Sequence, residues 1–181
     1  MGDLTEILPK GRIWGTLVLS TFVSVGNARQ PFNRLLDAVV GLQEILPRPI
    51  VVQHGHTPFC VVEMEAVDFV GMEQFMEQIR GAKILIFHAG VGAVLQAIET
   101  GHVPVVMPRR RVFGEVVDDH QVDYARVMEQ AGLVVVANTV EELGVAIRRV
   151  LNRTVEQVSR TDEPKLVALV REALREVAVR A

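Results

Sequence analysis

KILIFHAGVGAVLQAIETG, residues 83–101, decides the fold by its spacing. Residues 83–87 form a short apolar run of strand character, and His88-Ala89-Gly90 ends it. Val94, Leu95 and Ile98 then recur at helical spacing, with Gly101 placed as a left-handed stop. A strand that ends in histidine and turns through small residues into a helix is suited to meet an anion. The first N–H groups of that helix lack partners within it, and the helix dipole puts partial positive charge at the same end. Gly90 and Gly92 are expected to let a diphosphate approach the main chain with no Cβ in the way. The plainer reading of the two glycines is relief of a tight turn.

Outward from this segment, strand and helix signals alternate. Residues 17–25 read as a strand that stops at Gly26-Asn27. Pro31 suits a first helical turn, and Phe32, Leu35, Leu36, Val39, Leu42, Ile45 and Leu46 follow at helical spacing until Pro47. Short apolar runs come at 50–52 and 60–64, then a short helix near 73–79. Downstream, a strand is predicted at 103–107, a helix at 118–131 stopped by Gly132, and a strand at 133–136. Thr139-Val140-Glu141-Glu142 reads as a capping box opening a further helix. The order predicts an α/β fold, a Rossmann-like parallel sheet with helices on both faces. One domain is expected over residues 1–151. The remainder, 152–181, is expected to be a helical extension, with Leu166, Leu169, Val170, Leu174 and Val177 on one face, packing on the domain or on a partner.

Composition narrows the class. The 181 residues are 49% hydrophobic and 23% charged, the balance of a globular domain. A net charge of −3 gives no electrostatic case for nucleic acid or for a polybasic membrane anchor. Cys60 is the one cysteine, which excludes an intrachain disulfide and reads as a small buried side chain in a reducing compartment. Residues 13–25 are the most membrane-like, but they contain Thr16, Ser20, Thr21 and Ser24 and fall short of the ~20 residues that span a bilayer. Asp3 and Glu6 stand where a secretory signal carries positive charge, so a cytoplasmic location is expected.

In open parallel sheets, ligands bind beyond the carboxyl ends of the strands. The polar and glycine-rich loops predicted there are Gly26-Asn27, His54-Gly55-His56-Thr57, 88–93 and 109–121. A dinucleotide fingerprint needs G-x-G-x-x-G at the first strand-to-helix turn, where this chain has only Gly26, and no G-K-[ST] phosphate loop occurs. No H-E-x-x-H, D-x-D or Cys/His ligand spacing appears either, so neither a metal nor a resident cofactor is expected.

The combined pattern is more specific than its parts. It runs His88-Ala89-Gly90-x-Gly92-Ala93-x-x-Gln96-Ala97-x-x-x-Gly101-x-x-Pro104, then Pro108-Arg109, Gly114-Glu115 and Asp118-Asp119-His120-Gln121. This resembles the nucleotide-sugar half of GT-B glycosyltransferases, in particular the glycosyltransferase family 28 C-terminal domain known from MurG. Residues 22–26, 30–35 and 53–57 are similar to small stand-alone subunits of that family, the PssE-type bacterial exopolysaccharide transferases and the subunit of the dolichol-linked N-acetylglucosamine transferase. The resemblance covers about residues 17–151.

What the resemblance implies is an inverting, UDP-sugar-dependent glycosyltransferase subunit. His88 and the amides of Gly90, Val91, Gly92 and Ala93 would hold the diphosphate, with Gly26 and Asn27 facing it. Gln96 would meet the ribose, and His120 and Gln121 the sugar hydroxyls. The family usually has Ser at the position of Ala93 and Glu at that of Gln96, so one phosphate donor and one ribose-gripping oxygen are missing here. Phe69 and Val70 are candidates beside the uracil. The run Arg109-Arg110-Arg111 is either a solvated cluster or a guanidinium fork for an anionic sugar, which favours glucuronic acid as the transferred group. The general base is expected from a membrane-anchored partner that binds a lipid-linked glycan acceptor and recruits the chain to the inner face of the membrane. Within this chain the candidates are Glu115, Asp119 and His120. The competing reading is a non-catalytic nucleotide-binding or regulatory subunit.

Overall fold

The computed structural model describes residues 20–152. The helix predicted beyond residue 162 lies outside them. Six strands, β1 (Ser20–Ser24), β2 (Ile50–Gln53), β3 (Glu65–Val67), β4 (Ala82–His88), β5 (Val105–Met107) and β6 (Val135–Val136), form one sheet in the order β3-β2-β1-β4-β5-β6. Every pairing is parallel. The helices are α1 (Asn33–Gly41), α2 (Met72–Gly81), α3 (Val91–Glu99), α4 (His120–Gln130) and α5 (Val140–Leu151), with 3-10 turns at Gln43–Ile45 and Arg111–Phe113.

The central strands are buried on both faces because both faces are covered. Val23 of β1 and Ile84 and Ile86 of β4 point into a core with Leu35, Val39, Leu143 and Ile147 of α1 and α5. Phe22, Leu85 and Phe87, the alternate positions, face Ile79, Val94, Ile98 and Met128 of α2, α3 and α4. Phe22, Phe75 and Phe87 pack there with ring centroids 5.3–5.9 Å apart. The Rossmann-like expectation therefore holds, with helices on both faces.

Several local expectations shift. α1 starts at Asn33 rather than at Pro31, and the N–H of Phe32 is taken by Thr57 Oγ1 at 3.0 Å. It ends at Gly41, so Leu42, Ile45 and Leu46 continue the apolar face from a 3-10 turn. The apolar run 60–64 forms no strand, and the edge strand β3 comes after it. The β2-to-β3 crossover is a loop, not a helix, braced by His54, whose Nδ1 lies 2.8 Å from Thr57 O. Cys60 is exposed in this loop, not buried. Thr139 caps α5 by accepting the N–H of Glu142 at 3.2 Å, while Glu142 accepts the N–H of Asn138 instead of that of Thr139. The box is thus displaced by one residue. Among the described residues no helix is long and apolar enough to cross a membrane.

Candidate functional site

β1 is flanked by β2 on one side and β4 on the other, so the chain leaves these neighbouring strands in opposite directions. The crevice opened by that reversal is the general ligand position in such sheets. Here it is a cleft of about 400 Å³. Ser24, Gln53, His88 and residues 90–93 line it together with Val70, Met72 and Phe75. No side chain caps α3, whose first N–H groups at Val91, Gly92 and Ala93 have no partner within the helix and border the cleft.

The His88 ring is held by its surroundings. A methyl group on Gly26 or on Gly90 would overlap the imidazole, and Gly26 also adopts φ 75°. The ring's Nδ1 lies 3.4 Å from Ser24 O and donates to it, which leaves Nε2 between the two glycines. This corrects the role expected of Gly90. Its missing Cβ makes room for the histidine, while a Cβ on Gly92 would meet open space. Room for a diphosphate is therefore left at Gly92 and the helix amides.

Burial, reinforced by the nearby Arg109 charge and opposed by the Ser24 carbonyl, holds the His88 pKa down to about 4. The imidazole is neutral at pH 7. Its folded-state pKa lies below the unfolded value, so its contribution to stability is complete above pH 6.5 and is lost as pH falls toward 4. Over that window the loss is about 3 kcal/mol. His102 is shifted the same way by burial, so the His88 part must be read as a difference. Urea unfolding of the wild type and of His88→Gln between pH 7.5 and 4 is expected to show a shallower pH dependence in the variant. Parallel profiles would contradict the neutral, enclosed imidazole.

The cleft brings together Gly26, Asn27, His88, Gly90, Val91, Gly92, Ala93 and Gln96 of the predicted set. Gln96 Nε2 donates to Met72 Sδ at 3.1 Å, which leaves its carbonyl oxygen for a ligand. Val70 borders the cleft, while Phe69 turns edge-on to the His56 ring, 5.1 Å between centroids.

Other predicted residues are engaged elsewhere. Arg109 is 0% exposed and donates to Gln30 O, Glu115 O and Val25 O at 2.8–3.0 Å. It is a brace for the loops, not a fork for a sugar carboxylate. Of the three arginines, Arg109 is thus lost to the case for glucuronic acid, while Arg110 packs its guanidinium 5.7 Å from the Phe113 ring. The Glu115 carboxylate receives Arg34 Nε and Nη2 at 2.9 and 2.8 Å and the N–H of Arg110 at 2.9 Å. Committed to three donors, it is no general base. Asp119 accepts the N–H of Arg111 at 2.9 Å, and Gln121 Oε1 accepts the N–H of Arg109 at 3.2 Å. His120 is exposed, 3.7 Å from Asp118, and does not line the cleft. Among the described residues no three His, Cys, Asp or Glu side chains are grouped to hold a metal ion.

Sequence reasoning missed Ser24 and Gln53 as site residues. Each is the last residue of its strand, and they meet only through the pairing of β1 with β2, which the local sequence does not show.

No protein-family model matches the sequence, and no curated protein matches it. Solved structures do resemble the fold. The calicheamicin glycosyltransferase CalG4 matches over 89% of this chain and 42% of its own, with TM-score 0.61 and 20% identity. The glycosyltransferase of kitacinnamycin matches over 99% of this chain and 46% of its own, with TM-score 0.57 and 17% identity. A UDP-GlcNAc 2-epimerase from Methanocaldococcus jannaschii, solved with UDP-GlcNAc and UDP, matches over 86% of this chain and 46% of its own, with TM-score 0.52 and 14% identity. The chain spans less than half the length of each of these proteins. Its fold is that of a GT-B glycosyltransferase domain.

Proposed function

We propose that this chain is the donor-binding half of a UDP-sugar-dependent glycosyltransferase of the PssE type, working with a separate membrane-anchored subunit that binds a lipid-linked glycan acceptor. The observation that carries the reading is the cleft at the strand switch point, where the uncapped amides of α3 and His88 converge on one space. A diphosphate there would take hydrogen bonds from the Val91, Gly92 and Ala93 amides, with Gln96 one turn further along for the ribose. In the transfer, the acceptor oxygen attacks the anomeric carbon and the bond from that carbon to the β-phosphate oxygen breaks. UDP leaves with the bonding pair, and the acceptor proton passes to a base. The helix end stabilises the negative charge that develops on UDP. Glu115 is tied to Arg34, so the base comes from the partner.

The rim supports a partner. Phe69, Met72, Val91, Val112, Phe113 and Val117 are large, apolar and exposed. All follow the carboxyl ends of β3, β4 or β5, and Met72 and Val91 line the cleft itself. Exposed apolar residues at the end of the sheet that carries a ligand cleft favour an interaction site there.

Calorimetry is expected to show UDP binding to the chain alone, weakened about tenfold or more by His88→Ala, because the neutral ring gives its one proton to Ser24 O and, seated against Gly26 and Gly90, holds the turn that presents the α3 amides. Sugar transfer to a lipid-linked acceptor, from a panel of UDP-sugars, is expected only when the partner subunit is present. Absence of UDP binding would remove the reading. Binding with no transfer under any donor and partner would leave a non-catalytic subunit.

A further inference from the structure

Gln53 ends β2 and is the register partner of Ser24, which ends β1. Its residue is 4% exposed, and what remains open borders the cleft. Ser24 Oγ donates its hydrogen to Gln53 Oε1 at 3.0 Å, while the same oxygen accepts the N–H of Gly26 at 3.3 Å. Ser24 thus gives its one hydroxyl hydrogen to the carboxamide oxygen. The amide oxygen is turned to the strand and the NH2 end is left for the cleft. That NH2 donates to nothing among the described residues, because the bond to Ser24 accounts for the whole of Gln53's side-chain hydrogen bonding.

The side chain is nine-tenths buried, and its free amide end is the part that remains open, at the wall of the cleft. We propose that Gln53 is a specificity-determining contact, its carboxamide N–H donating to an acceptor oxygen of the bound nucleotide. The assignment rests on the nucleotide reading of the cleft. Because Oε1 is occupied by Ser24, the site offers only a donor here. It selects a ligand atom that accepts, a carbonyl, hydroxyl or phosphate oxygen, and disfavours an amino group. β2 lies on the side of β1 away from β4, the strand that leads into α3, so the oxygen is expected on the nucleoside rather than on the phosphates.

The test compares wild type, Gln53→Met and Gln53→Glu in binding UDP, uridine and inorganic pyrophosphate. Methionine keeps the length without the donor, and glutamate offers only acceptors. Both are expected to weaken UDP and uridine about tenfold or more, the glutamate variant further, while pyrophosphate binding is unchanged by Gln53→Met. A loss that extends to pyrophosphate supports the contact and moves its oxygen to the phosphate. Wild-type affinity in Gln53→Met, or in Gln53→Glu, overturns it. Binding of none of the three probes by wild type would overturn the nucleotide reading and this contact together, which separates the two failures. Where the variants fold poorly, the wild-type protein serves. The Gln53 side-chain NH2 resonances should shift when UDP is added, and resonances that stay in place at saturation refute the contact.

Discussion

Arg109→Met is expected to destabilise the domain by about 4 kcal/mol, as measured by urea unfolding. Arg109 is the largest fully buried side chain among the described residues, and its guanidinium bridges three carbonyls that the sheet does not pair. Val25 and Gln30 belong to the loop leaving β1, and Glu115 to the loop leaving β5. Phe32 covers the guanidinium at 4.6 Å. Methionine replaces the aliphatic stem but strands two buried acceptors, Val25 O and Glu115 O, each costing about 1–3 kcal/mol, and the part-buried Gln30 O. Relief of the buried charge offsets part of that sum, since burial already lowers the Arg109 pKa to about 10 against the support of Glu115. Arg109→Lys should recover little, because one ammonium cannot span the three carbonyls in the guanidinium's planar geometry. A loss below about 1 kcal/mol in Arg109→Met would mean the loops are held by something else.

The same residue marks where sequence ceased to be a guide. Three consecutive arginines after a strand look like a solvated or ligand-facing cluster, and nothing in the local pattern says that the first is swallowed by the fold. Its partners, Val25 and Gln30, lie far back in the chain, and their contribution is main-chain oxygen, which carries no sequence signal. Glu115 misled for a similar reason. An acidic residue in a loop reads as a candidate base until Arg34, on α1, is brought against it. The sheet, by contrast, was legible because both faces of β4 are buried, and the apolar run at residues 84–87 records that directly. The edge strand β3 is only partly buried and leaves no such run. His88 and the α3 terminus were legible because strand, histidine, glycine and helix lie next to one another in the chain. Gln53 was not, because its meaning depends on Ser24 across the ladder and on a hydroxyl whose single hydrogen is already used.

Gly90→Ala is expected to lower UDP affinity about a hundredfold while the backbone tolerates the change. Gly90 sits at φ −79° and ψ 128°, a conformation open to alanine, so no main-chain strain follows. The new Cβ would overlap His88 Nε2 and its neighbouring ring atoms, and the ring is confined on its other side by Gly26. The imidazole must therefore leave its seat between the two glycines. It then loses its bond to Ser24 O, and its displacement crowds the α3 amides that face the cleft. Two hydrogen bonds to an anionic ligand, at about 1.5–3 kcal/mol each, account for an effect of this size. Gly92→Ala discriminates between mechanisms, since its Cβ meets no protein atom and should leave stability and the His88 titration untouched. It weakens UDP only if the ligand itself approaches that backbone. A double-mutant cycle supplies the decisive comparison. If the ring is what the Cβ strikes, the stability cost of Gly90→Ala disappears in a His88→Ala background. An undiminished cost in that background would show that Gly90 is there for the turn, not for the histidine.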